Sequence, residues 1–136
     1  IYTLSLHDAL PISTSTDKNM GSVTMEELLK ADPDYIIVAT QGAGPVIDLI
    51  KKSSEWSTLK AVKNGRIYAN PIGTFLWSRY SCEEALQVLW VAKLIHPDKF
   101  KDIDMNKEVR NFYRTFYNYN MTEEEARRML AGLDPQ

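Results

Sequence analysis

The sequence predicts an α/β fold, a short parallel sheet flanked by helices, on three observations. Tyr35 to Ala39 (YIIVA) is a continuous apolar run rich in β-branched residues, which suits a strand buried on both faces, as in a parallel sheet. Arg66 to Asn70 reads as a second strand, entered from the strong turn signal Asn64-Gly65. Helix signals stand before, between and after these strands, an order that belongs to the α/β class.

The chain opens on IYTLSLHDALPIS (Ile1 to Ser13), which has no basic start and no continuous apolar core, so it is not a secretory signal. It closely resembles the translation of a common sequencing adapter; on that reading His7 and Asp8 mean nothing as a pair. Ser13 to Gly21 is polar and reads as linker. Residues 1–22 are therefore expected to be a non-native and linker N-terminus, with the natural chain beginning near Met20 as the tail of something longer.

Helix signals begin at Val23. Thr24 and Glu27 make a capping box, and Val23 with Leu28 makes a hydrophobic staple. Leu28 and Leu29 are expected to pack inward. Glu27 is engaged in the box, so Glu26 is the carboxylate left to point outward, where a charge at a helix N-terminus contributes about 0.3–1 kcal/mol. Asp32-Pro33-Asp34 ends this helix. After the first strand, Thr40 to Gly44 is a flexible loop and Pro45 suits the first position of the next helix. Val46, Ile47, Leu49 and Ile50 mark its inner side, and Lys51 and Lys52 complement the dipole in its last turn. Ligands of open α/β sheets sit at such strand-to-helix loops, and the loop's backbone N–H groups with the Gln41 amide suit a polar ligand. The GxxxxGK[ST] pattern of a P-loop is absent.

Glu55 to Leu59 reads as a short helical turn. The second strand delivers the chain into NPIGTFLWSRYSCEEALQVLWVAKLIHP (Asn70 to Pro97), which opens as a loop broken by Pro71 and Gly73. Phe75, Trp77, Arg79 and Tyr80 form an aromatic and cationic cluster there. Ser81 with Glu84 reads as a capping box, and Leu86, Val88, Leu89, Trp90, Val91, Leu94 and Ile95 leave the helix almost no polar face, so it is expected to be covered on most sides until Pro97 ends it. A buried helix holding a loop with Trp, Arg and Tyr is a usual site design. The same residues also fit a second arrangement, in which Trp77 and Tyr80 pack the helix start and Arg79 is solvated on the rim. Cys82, in the first turn, reads as a small structural residue, and His96 as a helix C-terminal cap. Asn106 is expected to cap the next helix, where Val109, Phe112, Tyr113, Phe116 and Tyr117 form a core stripe. Thr122 and Glu125 box the last helix, Glu123 to Leu130, with Gly132 after it.

The 136 residues suffice for one domain, and a net charge of −2 gives no electrostatic case for nucleic acid or an anionic membrane. A single cysteine excludes an internal disulfide, no Cys/His cluster has metal-ligand spacing, and no apolar run reaches the ~20 residues of a membrane span. No catalysis is expected: there is no Ser-His-Asp order and no paired catalytic carboxylates, and Gly42-Ala43-Gly44 is too short for a dinucleotide fingerprint. No cofactor is called for. Two convincing strands make a marginal sheet by themselves, so a further part is expected upstream.

Residues Val23 to Leu130 resemble the C-terminal lobe of periplasmic-type substrate-binding proteins of ABC importers, the class serving iron–siderophore, haem and cobalamin uptake. VTMEELLKADPDYIIV, KNGRIYANP, WSRYSCEEALQVLWVAKLIHPDKF and FYRTFYNYNMTEEEA carry the resemblance by order and spacing. It implies a partial lobe of the two-lobed class III periplasmic-binding-protein fold, with residues 23–131 as the C-terminal lobe, 132–136 as a tail, and the N-terminal lobe missing. It implies an extracytoplasmic protein, in the periplasm or as a cell-surface lipoprotein, that delivers an iron chelate, haem or cobalamin to permease subunits. By carry-over, Gln41, Gly42, Trp77, Arg79 and Tyr80 face the ligand cleft. Glu26 falls where family members carry a glutamate that docks into arginine pockets of the permease; Thr24-Met25 before it is a minor departure. An Arg guanidinium suits carboxylate, phosphate or catecholate–iron anions, and Trp and Tyr offer flat apolar walls. Which solute is carried stays open, an oxyanion such as molybdate included. The alternatives are a lobe of a doubly wound α/β enzyme, or an inactive truncated product.

Overall fold

The computed structural model describes the backbone of residues 2–4 and 12–13, and all of residues 23–79 and 81–134. His7, Asp8 and Tyr80 lie outside the described residues. The chain divides into two compact units, Ile1–Ala69 and Asn70–Gln136.

The first unit holds the sheet. Its elements are β1 (Tyr2–Leu4), β2 (Ile12–Ser13), α1 (Met25–Ala31), β3 (Tyr35–Val38), α2 (Ala43–Lys52), a 3-10 turn at Trp56–Thr58, the short α3 (Lys60–Lys63) and β4 (Ile67–Ala69). The expected parallel pair forms, with Ile36 opposite Ile67 and Val38 opposite Ala69. The strand order is β2-β1-β3-β4, and β1 lies antiparallel to β3 with Tyr2 opposite Ile37. The backbone of residues 2–4, in the segment that resembles a translated adapter, thus pairs the other edge of β3, whose four residues are all buried. Leu28, Ile36, Val38, Ala43, Ile50, Leu59, Ala61 and Ile67 make the core of this unit.

Two apolar residues expected inside are outside: Leu29 is 41% exposed and Leu49 69%. The reason is the width of the helical stripe. In α2, Ala43, Val46, Ile47 and Ile50 follow the i, i+3, i+4, i+7 rule and close the inner face without Leu49. Pro45 also sits two residues further into α2 than expected, because Gly42 is the N-cap and Ala43 the first helical residue. Asp32 ends α1 and ties it to α3: its carboxylate accepts the Lys60 backbone N–H at 2.8 Å and pairs with Lys60 Nζ at 3.2 Å.

The second unit is helical: α4 (Glu84–Ile95), α5 (Met105–Phe116) and α6 (Glu123–Leu130). Leu86, Trp90, Met105, Val109, Tyr113, Ala126 and Met129 are its buried helical residues. The α6 bounds and the Thr122–Glu125 capping box are as the sequence predicts. Elsewhere the helix starts differ. Ser81 does not cap α4; the N-cap position is Glu83, whose side chain bonds elsewhere. Asp104, not Asn106, caps α5: its carboxylate accepts the Asn106 and Lys107 backbone N–H groups at 3.0 and 3.3 Å, and Asn106 lies inside the helix, its side-chain amide donating to the Glu123 carbonyl at 2.8 Å. α4 is not fully covered, since Val88 is 69% exposed. The aromatic stripe of α5 leaves the core at its last turn, where Phe116 is 71% exposed. There the rings pack on one another, Phe112 on Phe116 at 4.8 Å and Tyr113 on Tyr117 at 4.9 Å. The α4–α5 connection is held by Lys93, whose Nζ donates to the Phe100 and Ile103 carbonyls at 3.0 and 2.6 Å.

Candidate functional site

β3 and β4 run in the same direction and end side by side, so the chain leaves the sheet twice at one edge. After β3 comes Gln41, exposed, and then Gly42, exposed and left-handed at φ +66°. A residue with a Cβ is disfavoured there by about 1–2 kcal/mol, so Gly42 is what allows the chain to turn from strand into helix within so few residues. Glu26 lies on α1. Its neighbour Glu27 accepts the Thr24 backbone N–H at 2.8 Å while Thr24 Oγ1 accepts from the Glu27 N–H at 3.2 Å, which completes the box and leaves Glu26 exposed. Among the described residues Glu26 makes no ion pair.

The loop of the second unit is a built structure rather than a flexible link. Asn70 and Pro71 are buried, the Ile72 N–H reaches the Met129 carbonyl of α6 at 3.2 Å, and Ile72 bridges to Leu76. The Trp77 N–H then returns to the Pro71 carbonyl at 3.3 Å. The Trp77 side chain is fully buried, as in the second of the two arrangements that the sequence left open. Arg79 is exposed and, among the described residues, makes no ion pair.

What fixes this loop is Glu83, a residue that no motif in the sequence marks. It is fully buried. Its Oε1 accepts the Thr74 backbone N–H at 2.8 Å, the Thr74 hydroxyl at 2.9 Å and the Tyr113 phenol of α5. Burial alone would push its pKa up, but the bonds from Tyr113 and Thr74 outweigh it and the net shift is downward. Tyr113 responds in the opposite sense: burial first, then donation to the Glu83 carboxylate, raises its pKa well beyond the ordinary tyrosine value. Gly73 is required at this point, because a Cβ there would fall well inside 3.0 Å of both Glu83 Oε1 and Tyr113 Oη. Glu83, Thr74 and Tyr113 thereby lock the Arg79-bearing loop to α4 and α5.

Gln41, Gly42 and Glu26 thus belong to the first unit, and Trp77 and Arg79 to the second. Among the described residues no three His, Cys, Asp or Glu side chains come together in a way that would hold a metal ion, and no helix is long and apolar enough to cross a membrane.

Comparison with known proteins agrees with this architecture. The molybdate-binding protein MolA of Haemophilus influenzae is 28% identical over 88% of this chain and 34% of its own length. The Fe(3+)-citrate-binding protein YfmC of Bacillus subtilis is 32% identical over 50% of this chain and 21% of its own length. A solved periplasmic solute binding protein of Veillonella parvula superposes with a TM-score of 0.65 at 33% identity, over 81% of this chain and 34% of the other. The chain therefore spans about a third or less of the length of these relatives. A model of the family described as periplasmic binding protein matches residues 3–71, half of the chain and the whole of the β3–β4 pair. With the parallel strands, the loop-bearing edge and the family match all on the same residues, the chain belongs to the periplasmic binding protein family.

Proposed function

We propose that this chain is one lobe of the extracytoplasmic solute-binding component of an ABC importer, and that it takes part in capturing a compact metal-centred anion for delivery to the permease. The observation that carries the reading is Arg79, an exposed cation on a loop held rigid by the buried Glu83. A guanidinium offers a planar fork of donors to oxygen-rich anions. Relatives named for molybdate and for Fe(3+)-citrate support that solute class. The wider set read from the sequence, siderophores, haem and cobalamin, needs flat apolar walls, and the burial of Trp77 removes one of them. Gln41 and Gly42 of the β3–α2 loop, and Tyr80, are proposed as further solute-contacting residues. Glu26, exposed at the start of α1, is proposed as the permease-docking carboxylate.

Calorimetric titration tests this, with molybdate, ferric citrate, haemin and cyanocobalamin added to the two-lobed protein and to this chain alone. One of the two anions is expected to bind the two-lobed protein, and this chain more weakly because it supplies only part of the contacts. Arg79→Ala should weaken binding by about 1.5–3 kcal/mol, roughly ten- to a hundredfold. Binding of haemin or cobalamin with both anions silent would overturn the solute class. An Arg79→Ala protein with unchanged affinity would overturn the site. Glu26→Ala should abolish uptake in a transport assay and leave solute affinity intact; a loss of affinity instead would refute the docking role.

A further inference from the structure

We propose that the second unit holds a pocket for a small organic ammonium ion, at the turn from α5 to α6, lined by the Tyr113 and Tyr119 side chains and by Glu125. The pocket has a volume of about 270 Å³, and Thr74, Tyr113, Tyr119, Met121, Glu125 and Met129 line it. Its floor is buried: Tyr113, Met121 and Met129 are each less than a tenth exposed. Its rim is open, with Tyr119 46% exposed.

Tyr119 is exposed and yet fixed at both ends. Asn118 takes a left-handed turn at φ +51°, and the Tyr119 N–H then returns to the Tyr113 carbonyl at 3.2 Å. Its phenol donates to Glu125 Oε1 at 2.5 Å. The ring is thereby held 6.4 Å from that of Tyr113, at a steep angle of 69°. An exposed aromatic side chain pinned in this way is pre-organised, so ordering it costs little on binding.

The charge of the pocket is negative. Glu125 Oε2 accepts the Thr122 N–H and hydroxyl, both at 2.6 Å. The side-chain bonds from Thr122 and Tyr119 and the backbone bond from Thr122 draw its pKa down to about 2, so the carboxylate is ionised at neutral pH. Among the described residues, no lysine, arginine or histidine lines the pocket. Arg110 of α5 is engaged nearby, its Nε on the Met121 carbonyl at 3.3 Å. Aromatic faces attract a cation through their quadrupole, thioethers are polarisable, and an ionised carboxylate adds direct attraction. The same set repels an anion, so this pocket and the Arg79 loop select opposite charges, and either reading can fail without the other.

Choline and its neutral isostere 3,3-dimethylbutan-1-ol separate charge recognition from simple filling of an apolar hole. Both are titrated into this chain labelled at the methionine methyls with carbon-13 and followed by NMR. Choline should shift the Met121 and Met129 methyls and bind about tenfold or more tightly than the alcohol. Glu125→Gln keeps a residue that serves the capping box, and should cost choline about tenfold without changing the alcohol. Should that variant fail to fold, Tyr119→Ala at the exposed rim serves in its place, with the same expected loss for choline. Equal affinity for the two compounds overturns the proposal. So do choline shifts confined to methyls other than Met121 and Met129, or a folded variant with undiminished choline binding.

Discussion

Replacing Gly73 by alanine adds one methyl group at a crowded point of the Arg79-bearing loop. The new Cβ would fall well inside 3.0 Å of two oxygens, Glu83 Oε1 and Tyr113 Oη. Neither can step aside cheaply. Glu83 has no exposed surface and is held by Thr74, and the Tyr113 ring is stacked on Tyr117 at 4.9 Å. Overpacking of this kind costs about 1–3 kcal/mol. Displacing the phenol from a buried carboxylate removes a hydrogen bond to a charged group, about 1.5–3 kcal/mol more. Together these approach about 4 kcal/mol, which for a unit of this size lowers Tm by roughly 15 °C or more. Thermal unfolding followed by near-ultraviolet circular dichroism measures it. Gly44→Ala is the matched control, because Gly44 lies in α2 with nothing within 4 Å of its added methyl. There the substitution should stabilise, by up to about 1 kcal/mol of helix propensity. A Gly73→Ala protein that melts with the parent would refute the claim that Glu83 and Tyr113 lock this loop.

The remaining expectations are more local. Tyr113 has a folded pKa raised above its unfolded value of 10.0, so its contribution to stability is complete below pH 10 and is lost as pH rises further. Chemical denaturation across alkaline pH should show that decline, and Tyr113→Phe should flatten it in part, since Tyr117 and Tyr119 are raised as well. Gly42→Ala should destabilise by only about 1–2 kcal/mol, because the added methyl meets nothing within 4 Å and only the left-handed backbone opposes it. A larger drop would mean the loop is packed. Trp77, left as the sole tryptophan by replacing Trp56 and Trp90 with phenylalanine, should emit in the blue and resist acrylamide quenching; solvent-like emission would contradict its burial.

The elements that were legible in the sequence are those whose signals are local. The last helix was delimited correctly because its capping box and terminal glycine are both within a turn of its ends. β3 was legible because four consecutive buried residues demand an unbroken apolar run. What was not legible depends on partners distant in sequence. Ser81 and Glu84 satisfy the capping-box spacing, but the preceding turn is drawn inward by Glu83, whose phenolic partner is thirty residues on. No nearby pattern marks that glutamate. Asp104 and Asn106 are both good caps two residues apart, and local spacing does not choose between them; in the fold it is the Asp104 carboxylate that accepts the first free N–H groups of α5. Trp77 illustrates the same limit: the sequence placed it on a loop, correctly, but a loop can turn its largest side chain inward when its backbone bonds to itself.

Lys93 carries a consequence for chemical labelling. Its amine is committed to two carbonyls, so reagents that acylate or methylate lysines would have to break both bonds to reach it. In a time course read by mass spectrometry it should trail the solvent-facing Lys51 and Lys52, and it should catch up once the second unit opens. That lag would make one amine a built-in reporter of whether α4 and α5 are still joined.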